Sequence, residues 1–212
     1  MSNSSNRVAL VTGAGTGLGK AIAISLAEEG YTVGLNGRGE EKLRKLEKEI
    51  NNGKTILVPG DVTDEKSVQK LRDVFLEQSG GNLDLLVNNV GGVPAKAPIS
   101  EMTLKQWNQV IDKNLTSQFL VTKAFLPALR DNGSGKIISV TSGMAHFFMK
   151  EFGAYSAGKA GMESLMKVVE EEEKEHGIEV HLFDPENVIS ESNPEGEKDA
   201  MEVVGGVMGM IK

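Results

Sequence analysis

The chain has 212 residues, enough for one domain with a substantial core, and carries 30 Asp plus Glu against 23 Lys plus Arg. The resulting negative field opposes nucleic acid and anionic membranes as partners, and the lack of cysteine excludes disulfides, a thiolate nucleophile and sulfur-ligated metals. Residues 1–6 are polar, without the apolar core of a signal peptide, and no later apolar run is long enough to cross a bilayer, so a cytoplasmic protein is expected.

Short apolar runs alternate with helical patterns. Val8 to Val11 reads as a buried strand; after a Gly-rich turn, Ala21 to Glu29 has apolar residues at helical spacing until Gly30 stops it. Tyr31 to Leu35 is a second strand, and Glu40 to Asn52 a charged helix with Leu43, Leu46 and Ile50 on one face. Thr55 to Val58 is the next strand, Asp64 to Gln78 a helix and Leu83 to Val87 a fourth strand. A long helix follows from Leu104 to Leu129, interrupted near Asn114. Then come a strand at Lys136 to Val140, a helix from Tyr155 to His176 and a strand at Glu179 to Phe183. Strict alternation of strand and helix implies right-handed crossovers, hence an α/β fold with a doubly wound, Rossmann-type parallel sheet in a single domain over 1–212.

The segment Thr12-Gly13-Ala14-Gly15-Thr16-Gly17-Leu18-Gly19 lies between the first strand and the first helix, where parallel sheets bind ligands. Glycine lets backbone approach a pyrophosphate, and a helix N-terminus offers unpaired N–H groups. Leu18 occupies the third Gly position of the commonest dinucleotide pattern; the loop instead reads Gly-x-x-x-Gly-x-Gly through Gly13, Gly17 and Gly19. Further along, Tyr155 and Lys159 stand four apart, on one face of a helix, with Ser142 after the apolar run at Lys136 to Val140. Taken singly, each has an ordinary reading: a turn, a packed ring with a snorkelling lysine, a hydroxyl at a strand end.

In that order and approximate spacing, Thr12 to Gly19, Asp61-Val62, Asn88-Asn89-Val90-Gly91, Asn114, Ser142, Tyr155 and Lys159 resemble the short-chain dehydrogenase/reductase family across residues 7–190. The resemblance implies a doubly wound fold and a nicotinamide dinucleotide. It implies a catalytic tetrad of Asn114, Ser142, Tyr155 and Lys159, and cofactor contacts from Gly13, Thr16, Gly17, Leu18, Gly19, Asp61, Val62, Asn89, Gly91, Tyr155 and Lys159. Pro185, Val188 and Ser190 fall where the family holds the nicotinamide carboxamide region. In this scheme Tyr155 gives a proton to the alkoxide left by hydride transfer, and Lys159 with an oxidised nicotinamide lowers the phenol pKa and holds the ribose. Ser142 polarises the carbonyl, and Asn114 places a water that feeds protons to Lys159.

NAD-binding relatives carry an acid at the end of the second strand, about 20 residues beyond the loop. Here the stretch is Leu35-Asn36-Gly37-Arg38: Gly37 leaves room and Arg38 can pair with a 2′-phosphate, so NADP is expected over NAD. The Gly-rich loop itself lacks the additional basic residue of many NADP-preferring relatives at Ala14 to Thr16.

Two departures from the family's pattern stand near the C-terminus. Pro185-Glu186 replaces the usual Pro-Gly, and residues 191–212 form a short atypical segment where relatives continue into a larger substrate lobe. The Met- and Gly-rich stretch from Lys198 to Ile211 is expected to pack as a helix against the core. Phe147, Phe148 and Met149 suit either an apolar substrate pocket or the core, and the three histidines show no metal-ligand spacing and read as incidental. The leading expectation is an NADP-dependent oxidoreductase interconverting a carbonyl and a secondary alcohol, assembled as a homodimer or homotetramer through the long helices. Two alternatives stay open: a dinucleotide-binding protein without turnover, serving as sensor or partner subunit, and an incomplete version of a longer enzyme.

Overall fold

The computed structural model describes residues 7–51, 54–186, 188 and 196–211. Its six strands are β1 (Val8–Val11), β2 (Thr32–Gly37), β3 (Thr55–Pro59), β4 (Leu85–Asn88), β5 (Lys136–Val140) and β6 (Glu179–Phe183). All pair in parallel, in the order β3-β2-β1-β4-β5-β6. Chain order therefore reverses between β1 and β4, which opens a crevice at their carboxyl ends.

Alternation along each strand feeds two apolar layers. In β1, Val8 and Leu10 enter the layer with α3 (Glu65–Ser79), α5 (Ser117–Asp131) and α6 (Gly153–Glu173). Ala9 and Val11 face α1 (Gly17–Glu28), α2 (Glu40–Ile50) and α7 (Ala200–Ile211). Phe75 of α3 meets Phe125 of α5 edge to face, with centroids 5.5 Å apart. No helix of the described residues is long and apolar enough to cross a membrane.

Three helices differ from expectation in ways that matter to the site. α1 begins at Gly17, inside the glycine loop, so its first N–H groups sit at the crevice. The long helix is α4 (Leu104–Ile111) joined to α5 through a π-helical segment, Asp112–Thr116, and Asn114 lies within that segment. α6 starts at Gly153, two residues before Tyr155. The helix α7 packs on α1 and β6, burying Val204 and Val207 in the core as expected. Asn52, the expected end of α2, lies outside the described residues.

Candidate active site

The loop after β1 is built around contacts that exclude side chains. A Cβ on Gly19 would stand 2.3 Å from the Gly13 carbonyl oxygen, and Gly13 has φ +67° with Asn89 Nδ2 2.9 Å from the place of a Cβ. The loop is pinned from both neighbouring strands. Ala14 N donates to Asn36 O at 2.7 Å, and Thr12 Oγ1 accepts from Asn89 N and Val90 N at 2.9 and 3.2 Å. Asn89 Nδ2 donates to Thr12 O at 2.9 Å, so the side chain of this residue, expected at the cofactor, braces the loop. Thr16 is the N-cap of α1 and makes no side-chain capping bond, leaving the first N–H groups of Gly17, Leu18 and Gly19 available to an anion.

Along the crevice, Gly37 closes β2 and Arg38 follows it, exposed. Beyond β3, Asp61 Oδ1 accepts from Thr63 N and Thr63 Oγ1 at 2.9 and 2.7 Å, and Val62 is buried. This Asx turn orders the segment expected to meet adenine.

The second half of the site lies where β5 ends against α6. Ser142 caps a short 3₁₀ turn, Gly143–Ala145, accepting from Met144 N at 3.3 Å, and it is hydrogen-bonded to Tyr155. One turn later Lys159, only 2% exposed, donates from Nζ to the Val140 carbonyl at 2.8 Å, with its ammonium 5.9 Å from the Tyr155 ring centre. The place of a Cβ on Gly91 is 3.1 Å from Lys159 Nζ and 3.2 Å from Asn114 Oδ1. Gly91 therefore lets lysine, asparagine and the loop after β4 converge.

Asn114 is fully buried. Its Nδ2 donates to Gly92 O at 2.7 Å and Val110 O at 2.8 Å, and Oδ1 accepts from Gly92 N at 2.9 Å. Both amide hydrogens are committed to the backbone, so the side chain clips the glycine loop to the π segment, and only an acceptor position remains for water.

Electrostatics at the pair differ from the expectation of a lowered phenol. Burial pushes Tyr155 above its ordinary value; the Ser142 hydrogen bond opposes this and the Asp184 charge adds to it. Burial also brings Lys159 down to about 8, against the pull of Asp184 and then Glu163. Desolvation dominates the phenol's shift, and the lysine is not among its causes.

The loop after β6 departs from the family's glycine but keeps glycine's conformation. Glu186 has φ +55°, and its N–H is held by Asp184 Oδ1 at 2.8 Å while its carboxylate pairs with Lys198. A non-glycine residue there stores strain of about 1 kcal/mol. Pro185 and Val188 are buried, and Val188 bridges to Lys198. Asp184, Pro185, Glu186, Lys198 and Glu202 line a cavity of about 340 Å³ between β6 and α7. Ser190 lies outside the described residues.

A family model described as short chain dehydrogenase matches residues 7–200. The chain belongs to that family. It is 33% identical over 180 residues, 85% of this chain and 77% of the relative, to an uncharacterised oxidoreductase of Staphylococcus aureus (strain USA300). A metagenomic short-chain oxidoreductase solved in complex with NADP superposes with a TM-score of 0.86 at 30% identity, covering 97% of this chain and 90% of that one. A 7α-hydroxysteroid dehydrogenase solved with NADH and 7-oxo glycochenodeoxycholic acid superposes at 0.90 and 25% identity, covering 99% and 91%.

As a short-chain dehydrogenase, the chain has a crevice that fits a dinucleotide: side-chain-free loop, uncapped α1 N-terminus, and no carboxylate at the end of β2. Four residues of consequence escaped sequence reading. Lys42 of α2 has its Cβ 3.4 Å from the place of a Cβ on Gly15, putting the stem of a second basic side chain against the loop; its position four residues after Arg38 was the available signal. Asp184 Oδ2 lies 3.5 Å from the place of a Cβ on Gly143, next to Ser142. Glu163 is buried behind Lys159, and His146, read as incidental, pairs with it at 2.9 Å. Phe147, Phe148 and Met149 are exposed, which removes the core alternative for them. Among the described residues no cluster of three His, Cys, Asp or Glu is arranged to hold a metal.

Proposed function

We propose that this chain is an NADP-dependent oxidoreductase that interconverts a carbonyl and a secondary alcohol on a small or medium apolar substrate. The single observation that carries the reading is the convergence of Ser142, Tyr155 and Lys159 beside a loop shaped for pyrophosphate. When bound, the reduced dinucleotide supplies the hydride. The chain's own residues do the rest. Ser142 hydrogen-bonds the substrate oxygen, and Tyr155, kept protonated by burial, donates to that oxygen as charge develops on it. Lys159 anchors the ribose and its positive charge favours proton departure from Tyr155, while Asn114 fixes the wall of glycines behind both. Gly13, Thr16, Gly17, Leu18 and Gly19 cradle the pyrophosphate, Asp61 and Val62 flank the adenine, and Gly91, Pro185 and Val188 border the nicotinamide half. The exposed Phe147, Phe148 and Met149 beside Ser142 support an apolar substrate. NADPH oxidation in the presence of a panel of ketones and 3-oxoacyl thioesters tests this reading; no oxidation with any of them overturns it.

The preference for NADP rests on Arg38 and Lys42 and on the missing acid. Arg38→Ala is expected to weaken NADPH about tenfold and NADH less than about twofold, read by fluorescence titration. Equal weakening of both cofactors contradicts a phosphate contact.

A reading without turnover draws support from Glu186, whose carboxylate stands where the family has no side chain. Stabilisation by NADPH without reduction across the panel favours that reading instead. The assembly is proposed as a homodimer, extendable to a tetramer, through α5 and α6. Exposed Phe119 lies beside a groove of about 280 Å³ lined by Leu126, Pro127, Leu165 and Val169. Light scattering should give the mass of two or four chains, reduced to one by Phe119→Asp; a wild-type monomer contradicts it.

A further inference from the structure

Three successive residues at the end of β5 each hold one residue of a single stripe on α6. Val140 accepts from Lys159 at 2.8 Å, Thr141 Oγ1 donates to Glu163 Oε1 at 2.5 Å, and Ser142 is hydrogen-bonded to Tyr155. Positions 155, 159 and 163 are four apart, so all three face the strand end. Glu163 has no part in the reaction as read above, yet it is only 6% exposed, and an ionised carboxyl is costly to bury without partners. Its second oxygen is 2.9 Å from Nε2 of His146, whose ring is largely exposed. One carboxylate thus ties down Thr141, just before Ser142, and His146, at the end of the turn that follows it. The span between them cannot shift without breaking a contact to that carboxylate.

The same carboxylate bears on Lys159. The charges that bear on that ammonium are Asp184 after β6, Glu163 one turn along α6 and Lys113 from the π segment, with the Tyr155 ring centre 5.9 Å away. Asp184 is exposed and open to screening by salt; Glu163 is not.

We propose that Glu163 is a positioning residue for this site: its buried carboxylate grips both flanks of Ser142 through Thr141 and His146 and sets a buried negative charge one helical turn from Lys159. The assignment rests on reading Ser142, Tyr155 and Lys159 as the reactive group, and it has two separable parts, charge and clamp. Charge is read without turnover by a pH titration of the full chain labelled with [ε-¹³C]lysine, the Lys159 resonance being identified by its absence in Lys159→Met. Wild type should titrate at about 8. Glu163→Gln should titrate lower by roughly one pH unit, and Glu163→Asp, which keeps the charge, within about 0.3 of wild type. Glu163→Met, apolar and of similar volume, replaces Gln if the amide prevents folding and carries the same expectation. The clamp is read by NADPH-dependent reduction of the carbonyl panel. Glu163→Asp, too short to reach both partners, should lower kcat about tenfold with the alkaline limb of the pH profile unmoved. Glu163→Gln should move that limb down with the titration.

A Lys159 resonance that titrates alike in wild type and Glu163→Gln or Met overturns the charge role, and full kcat in Glu163→Asp overturns the clamp. Either result with wild-type turnover intact leaves the reaction itself standing. Absence of reduction by wild type overturns the reaction and the positioning role together.

Discussion

Tyr155→Phe is expected to lower kcat for carbonyl reduction on the order of 10³-fold while leaving NADPH affinity within about threefold of wild type. The substitution removes one hydroxyl and keeps the ring that packs edge to face on Phe152, with centroids 6.4 Å apart, so the fold and the dinucleotide crevice are preserved. What is lost is the proton nearest Ser142. Burial, despite the opposing Ser142 hydrogen bond, holds the phenol above its ordinary value, so the free protein carries this proton at neutral pH, as a donor in the reducing direction requires. Steady-state kinetics with NADPH, beside a thermal shift with the same cofactor, separate the two effects. Full activity in the Phe variant would assign the proton to another group.

Lys159→Met is expected to abolish measurable turnover and yet raise Tm at pH 7 by about 3 °C. The lysine is almost wholly buried, and desolvation brings its ammonium down to about 8 from 10.5. A lysine whose folded pKa lies below its unfolded value costs stability in full below the folded value, and that cost disappears as pH rises from about 8 through 10.5. Wild type should therefore gain stability relative to Lys159→Met across this window. The bond to the Val140 carbonyl offsets part of the cost, so the gain at pH 7 is smaller than the desolvation alone implies. Thermal unfolding of both proteins from pH 7 to 10.5 checks the sign. A Met variant that is less stable throughout would mean that the ammonium is a net stabiliser.

The fold was legible because its signals are local. Apolar runs such as Val8–Val11 and Lys136–Val140 are bounded by turn residues, and their alternation with helical periods allows few topologies. The π segment was legible only as an irregularity near Asn114, since its cause is tertiary: Asn114 spends its side chain on Gly92 and Val110. Start points within the glycine loop and at Gly153 were missed because glycine reads as a breaker, whereas here packing against Gly13 O and Ile99 demands it. Glu163 and His146 were invisible for another reason. A glutamate on an acidic helix and an isolated histidine carry no pattern until β5 brings both to the Ser142 segment. The direction of the Tyr155 shift likewise depends on burial, which a spacing of four residues does not report.

The central claim, that Ser142, Tyr155 and Lys159 act on a carbonyl presented to a reduced dinucleotide, is most directly tested by isotope transfer. The full chain is incubated with NADPH deuterated at the transferable position and the carbonyl panel, and the alcohols are analysed by mass spectrometry. Deuterium on the carbinol carbon of at least one product with wild type, and none with Tyr155→Phe, is the predicted result. NADPH binding without deuterium in any product, or equal transfer by both proteins, would contradict the account.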